Sequence, residues 1–145
     1  MVSLGIFFSG SIYIMKINTN PEYKFGLKSE LECSELICNQ FNVKKNLSRW
    51  ATFDFESDEY LVELKTRRCK SSQYRDVMMN SPKIDKARET NKKVIFIYNF
   101  YDGIYYWEFD KSVELRHDMN GRSDRGVYEE QLMYYIPINI MRKLN

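Results

Sequence analysis

The chain has 145 residues, enough for one domain around one core, and its 43% hydrophobic and 15% aromatic content excludes an intrinsically disordered chain. A formal net charge of +2 names no partner by itself. Three cysteines without a CxxC pair, and a single histidine, exclude a disulfide-stapled scaffold and any site built from several imidazoles.

The first fifteen residues, MVSLGIFFSGSIYIM, carry no charge, yet no cationic segment precedes them. They are too short and too interrupted by Ser and Gly to span a bilayer, so a strand or hairpin is expected and no membrane partner. A second plausible start at Met15 makes residues 1–14 an expected extension. The first helix is expected over Leu27 to Phe41, because at about 100° per residue Leu27, Leu31, Ser34, Ile37, Cys38 and Phe41 fall on one face. Glu30 falls inside that face, whereas Glu32 and Glu35 fall outside it.

A strand over Arg49–Glu56, a turn at Ser57-Asp58-Glu59 and a strand over Tyr60–Arg67 read as an antiparallel hairpin. A polar loop follows, then a helix with Asn80 or Ser81 as N-cap and Pro82 in its first turn, ending near Thr90. VIFIYNF from Val94 and IYYWEF from Ile104 are strands joined by a hairpin turn at Tyr101-Asp102-Gly103. Beyond Asp110 the segment Gly121-Arg122-Ser123-Asp124-Arg125-Gly126 reads as a loop and Tyr134–Ile140 as a last strand or docked end. With no repeats or linkers, residues 1–145 are expected to form a single α/β domain with a mixed sheet between helices, a core at about residues 26–109, and residues 110–145 at its periphery.

The charges in the hairpin FDFESDEYLVELKTRR carry the chemistry. Side chains alternate along a strand, so Tyr60, Val62, Leu64 and Thr66 share one face and Leu61, Glu63, Lys65 and Arg67 the other. If Phe53 and Phe55 join Val62 and Leu64 in the core, Asp54 and Glu63 stand on the same face of strands about 4.8 Å apart. Two such carboxylates can bind Mg²⁺ or Mn²⁺ together, with Lys65 beside them. Glu30, turned inward from its helix, is expected to be buried and to need a cation or donor.

Between Lys65 and Lys93 basic residues outnumber acidic ones, which predicts a cationic surface suited to phosphate. The cysteines are expected to be reduced thiols of an intracellular protein, in the cytoplasm or in the nucleus of an infected host cell, and His117 a surface residue. Most tyrosines of the later strands are expected in the core rather than stacked on bases.

A helical Glu, a strand Asp, a Glu-x-Lys on the next strand, a helix and a further strand resemble the PD-(D/E)xK nuclease superfamily. The resemblance covers about Gly26 to Phe109 and is similar, through YLVELKTR and NKKVIFIYNFYDGIYYWE, to small nuclease-like proteins of phages and large DNA viruses. It implies a restriction-endonuclease-like α-β-β-β-α-β core, a mixed central sheet flanked by helices. It also implies an Mg²⁺-dependent DNA endonuclease in which Asp54, Glu63 and Glu30 hold the metal and Lys65 completes the catalytic set. Arg67, Arg68, Lys70, Lys83, Arg122 and Arg125 would contact the DNA. The Pro that usually precedes the Asp is replaced by Phe53. Cutting both strands of a duplex takes two active sites, which makes a homodimer a reasonable arrangement. The alternatives are a catalytically inactive nucleic-acid-binding relative of the same fold, and an interaction domain that docks a partner through its apolar first residues.

Overall fold

The computed structural model describes residues 7–8, 11–12, 21–122 and 129–144, with side chains over 30–120 and 129–144. In chain order these form β1 (Phe7–Phe8), β2 (Ser11–Ile12), α1 (Pro21–Phe41), β3 (Lys44–Lys45), β4 (Phe55–Glu56), β5 (Tyr60–Thr66) and β6 (Asp76–Asn80). Then follow α2 (Ser81–Glu89), β7 (Lys93–Phe100), β8 (Gly103–Glu108), β9 (Arg116–Arg122), β10 (Glu129–Pro137), a 3-10 turn (Ile138–Ile140) and β11 (Arg142–Lys143).

Six strands make a mixed, mostly antiparallel sheet in the order β11-β8-β7-β5-β4-β3. Its parallel pair is β5 with β7, in a register that sets Glu63 opposite Phe96 and Lys65 opposite Tyr98. Parallel neighbours need a crossover, here supplied by β6 and α2. A second sheet, β6-β10-β9, is antiparallel, and β1 and β2 pair with each other, as the apolar opening segment suggests.

The sheet separates two apolar layers. On one face Phe55, Val62, Ile95, Ile97 and Ile104 pack with Cys33 and Ile37 of α1. On the other, Leu61, Val94, Phe96 and Tyr98 pack with Ile84 and Ala87 of α2, and with Val77, Met79, Tyr134 and Ile136 of the second sheet. Covered on both faces, β7 is buried from Val94 to Phe100, which explains its unbroken apolar run. The β7–β8 turn closes at Gly103, whose φ of 149° is open to glycine. Helix α1 ends before Asn42, in the left-handed region at φ 52°.

Several expectations are corrected. The buried side of α1 is rotated: Leu31 is 63% exposed and Cys33 takes the core position, because Cys33, Ile37 and Phe41 are spaced to follow the sheet surface. The strand expected over Arg49–Glu56 survives only as Phe55–Glu56; the chain bends at residues 52–54. That bend splits the Phe pair. Phe55 joins Val62 as expected, but Phe53 lies in the opposite layer, 6.4 Å from the Phe96 ring.

The polar segment after β5 holds strand β6, whose alternating pattern of burial was hidden by flanking polar residues. The last strand begins at Glu129 rather than Tyr134, and Gly121 and Arg122 end β9 instead of opening a loop. Cross-strand pairing decides both, since β9 and β10 hydrogen-bond from Arg116–Tyr135 to Arg122–Glu129. The C-terminal strands, expected at the periphery, bury Tyr134 and Ile136 in the core.

Candidate active site

The site forms where the β4–β5 ladder stops. Pairing runs through Phe55↔Val62, and the next N–H along β5, that of Leu64, would meet residue 53 if the ladder continued. The bend carries the backbone away, and Asp54 Oδ2 accepts the Leu64 N–H instead, at 2.9 Å. The Asp54 carboxylate is thereby pinned to the backbone between Glu63 and Lys65. Asn46 holds the bend from outside: its N–H donates to the Asp54 carbonyl and its side-chain amide to the Phe53 carbonyl, both at 2.8 Å.

Glu63 is 2% exposed, a carboxyl inside the protein. Alternation along β5 turns it toward α2, where Lys83 Nζ lies 2.8 Å from its Oε2. Lys65, two residues on and on the same face, stands 4.0 Å from the same oxygen. The Asp54 carboxyl stands close enough to Glu63 to act on its protonation. Burial first, and the Asp54 carboxyl second, push the Glu63 pKa from its ordinary 4.5 up to about 7, against the opposing pull of Lys83. Two neighbouring carboxyls, one of them buried, favour a positive charge beside them, here the Lys83 ammonium.

A cleft of about 300 Å³ opens beside this pair, lined by Glu30, Ser34, Lys45, Asp54, Lys65 and Arg67 among others. The expected four residues thus divide. Asp54 and Lys65 line one cleft and Glu63 lies against Lys65 behind it; Glu30 faces the same cleft from α1 without an ion pair to Lys65. Its expected burial is corrected: the side chain is 53% exposed and pairs with Lys45 Nζ at 3.8 Å. Glu30 does lie on the side of α1 that carries Cys33 and Ile37, but one turn nearer the N-terminus, where the helix reaches the rim of the site.

Of the expected DNA contacts, Arg67 lines the cleft with its guanidinium 5.6 Å from the Tyr98 ring centroid. Arg68 and Lys70 are exposed on the segment that follows. Lys83 is corrected: at 17% exposure it is an internal partner of Glu63, with Nζ also 5.1 Å from the Phe53 ring centroid, and not part of an open cationic track. Position three of α2 points it at the sheet. The side chain of Arg122, and Arg125 entirely, lie outside the described residues. Asn46 and Lys45 carried no signal in the sequence, because their roles depend on a bend that local patterning does not encode.

Hard oxygen donors suit Mg²⁺ or Mn²⁺, and the Asp54–Glu63 pair fits such a cation. Among the described residues no three His, Cys, Asp or Glu side chains cluster as a ready metal cage.

Residues 22–144 match the protein family described as "Phage putative PDDEXK endonuclease". The chain belongs to this family. As a PDDEXK family member it has the mixed α/β architecture described above, compatible with a PDDEXK-like fold. No curated protein and no solved structure matches it. Among the described residues no helix is long and apolar enough to cross a membrane.

Proposed function

We propose that this PDDEXK family member is a divalent-metal-dependent DNA endonuclease that hydrolyses phosphodiester bonds, built on a restriction-endonuclease-like α-β-β-β-α-β core. The observation that carries the reading is the Asp54 carboxyl set against the buried Glu63 at the mouth of a cleft lined by Glu30, Lys65 and Arg67. Asp54 and Glu63 would hold Mg²⁺ or Mn²⁺, with Glu30 available across the cleft. A cation bound there supplies Lewis acidity toward a phosphoryl oxygen and makes a water more acidic. The chain's own residues do the rest.

Lys65, one-third exposed, presents its ammonium to the cleft and stabilises negative charge that develops on the phosphate. Lys83 keeps Glu63 in place and partly neutralised until a substrate and cation arrive. Arg67 offers a guanidinium to a neighbouring backbone phosphate, a contact that positions DNA without reading its sequence.

One observation favours the competing reading of a nucleic-acid-binding relative that does not cut. Lys83 already occupies the buried oxygen of Glu63, leaving the pair less anionic. Incubation of the purified chain with supercoiled plasmid and branched DNA separates the two. The proposal expects cleavage that needs Mg²⁺ or Mn²⁺, stops with chelator and disappears in Asp54→Asn and Lys65→Ala. Salt-sensitive binding that ignores chelator, with intact DNA, supports the non-cutting relative.

A further inference from the structure

The loop between β3 and β4 is unlike the rest of the surface. Between its ends at Lys45 and Asp54 it contains no acidic residue, while Lys44, Lys45 and Arg49 are basic. At its outer end Leu47 is 94% exposed and Trp50 81% exposed, the largest side chain so displayed among the described residues. A globular protein that buries its other tryptophan, Trp107, gains nothing in stability by holding this one in water.

Nor is the loop a loose strap. Ala51 N–H donates to the Ser48 carbonyl and Trp50 N–H to Ser48 Oγ, and the Arg49 guanidinium carbon sits 4.8 Å from the Trp50 ring centroid. Its base is braced by the two Asn46 bonds to Phe53 and Asp54. Both ends of the loop, Lys45 and Asp54, are walls of the candidate active-site cleft. A turn with internal bonds therefore carries an indole and a guanidinium outward from the residues that flank the site.

We propose that this loop is a nucleic-acid contact in which Trp50 stacks on an unpaired base beside the cleavage site. Here Leu47 packs on the neighbouring base or sugar, and Arg49 and Lys44 hold the flanking phosphates. This rests on the nuclease reading for why a strand lies in the cleft. A base offers a flat apolar face to an indole, and its backbone offers negative charge to Lys44, Lys45 and Arg49. A purely electrostatic contact would have no use for an exposed tryptophan and leucine.

The test uses the full chain carrying Asp54→Asn, so that nucleic acid is bound without being cut, and a single-stranded oligothymidylate as probe. Trp107 is buried, so emission quenched by acrylamide reports Trp50. Addition of the oligonucleotide is expected to quench that emission and protect the remainder from acrylamide. Trp50→Ala is expected to weaken binding about tenfold, the scale of one lost base stack. With an abasic oligonucleotide the Trp50→Ala effect should vanish while Arg49→Ala still weakens binding.

Unchanged Trp50 emission on saturation, or equal affinity of the Trp50→Ala chain, would overturn the proposal. So would protection of Trp50 from acrylamide that rises with protein concentration in the absence of oligonucleotide, which would make the loop a contact between copies of the chain. The nuclease reading fails differently, through intact plasmid with the unaltered chain, and the binding measurements do not depend on that result.

Discussion

Lys83 Nζ lies 2.8 Å from Glu63 Oε2, a cation from α2 lodged against a carboxyl that the sheet has withdrawn from water. Removing one partner of such a pair leaves the other without compensation. Glu63 can escape by taking a proton, since its pKa already stands at about 7, so the loss depends on pH. Lys83→Met is expected to destabilise the fold by about 1–3 kcal/mol at pH 8 and by clearly less at pH 5.5. Urea unfolding at the two pH values measures it, and an equal loss at both would remove Glu63 from the explanation.

The raised pKa has its own signature. Between pH 4.5 and about 7 the folded chain holds a proton on Glu63 that the unfolded chain has released, so stability falls as pH rises. The contribution is whole below pH 4.5 and lost once pH passes about 7. Its full size is about 3 kcal/mol in the metal-free protein. Glu63→Gln is expected to flatten this part of the stability profile; a profile that keeps its slope in the variant would place the titration elsewhere.

A divalent cation should reverse that effect. At pH 8, Mn²⁺ or Mg²⁺ bound by Asp54 and Glu63 relieves two carboxylates held together. Saturation at about 100 times Kd would add about 2.7 kcal/mol and raise Tm. The shift should be absent in Asp54→Asn. A rise of equal size in that variant would mean that the cation binds elsewhere.

Glu30 separates stability from activity. Exposed at the rim and joined to Lys45 across 3.8 Å, it contributes little to the fold. Glu30→Gln is expected to unfold within about 0.5 kcal/mol of the unaltered chain, while cleavage falls about 10–100-fold, as when a supporting group of a metal site is lost. An unaltered cleavage rate would assign Glu30 to the surface alone.

Asn46 touches no proposed substrate atom, yet it fixes the bend that presents Asp54. Loss of its side-chain bond in Asn46→Ala should cost about 1 kcal/mol, with kcat lowered and DNA affinity nearly retained. Weaker binding at unchanged kcat would make Asn46 a binding residue instead.

How far the sequence reaches can be judged from these same residues. Strand β5 was legible as YLVELKT because alternation along an extended chain is local, and it placed Glu63 and Lys65 side by side. Helix α2 and the β7–β8 hairpin were likewise legible from Pro82, from runs of β-branched and aromatic residues, and from Gly103. For β6, whose partner β10 lies far along the chain, local composition was silent, and of β10 it showed only the part from Tyr134.

The chain by itself determined the order Glu30, Asp54, Glu63-x-Lys65 and put Glu30 on a helix and Glu63-x-Lys65 on a strand, since residue type and short-range period are carried in the string. Only the tertiary structure decided which of them meet. The bend at residues 52–54 sends Phe53 and Phe55 to opposite layers and lets Asp54 replace a ladder bond; α2 brings Lys83 to Glu63; the overhang of α1 leaves Glu30 in water. Each outcome turns on where a helix or ladder ends relative to the sheet, a distance set by long-range packing and not by the neighbours of the residue concerned.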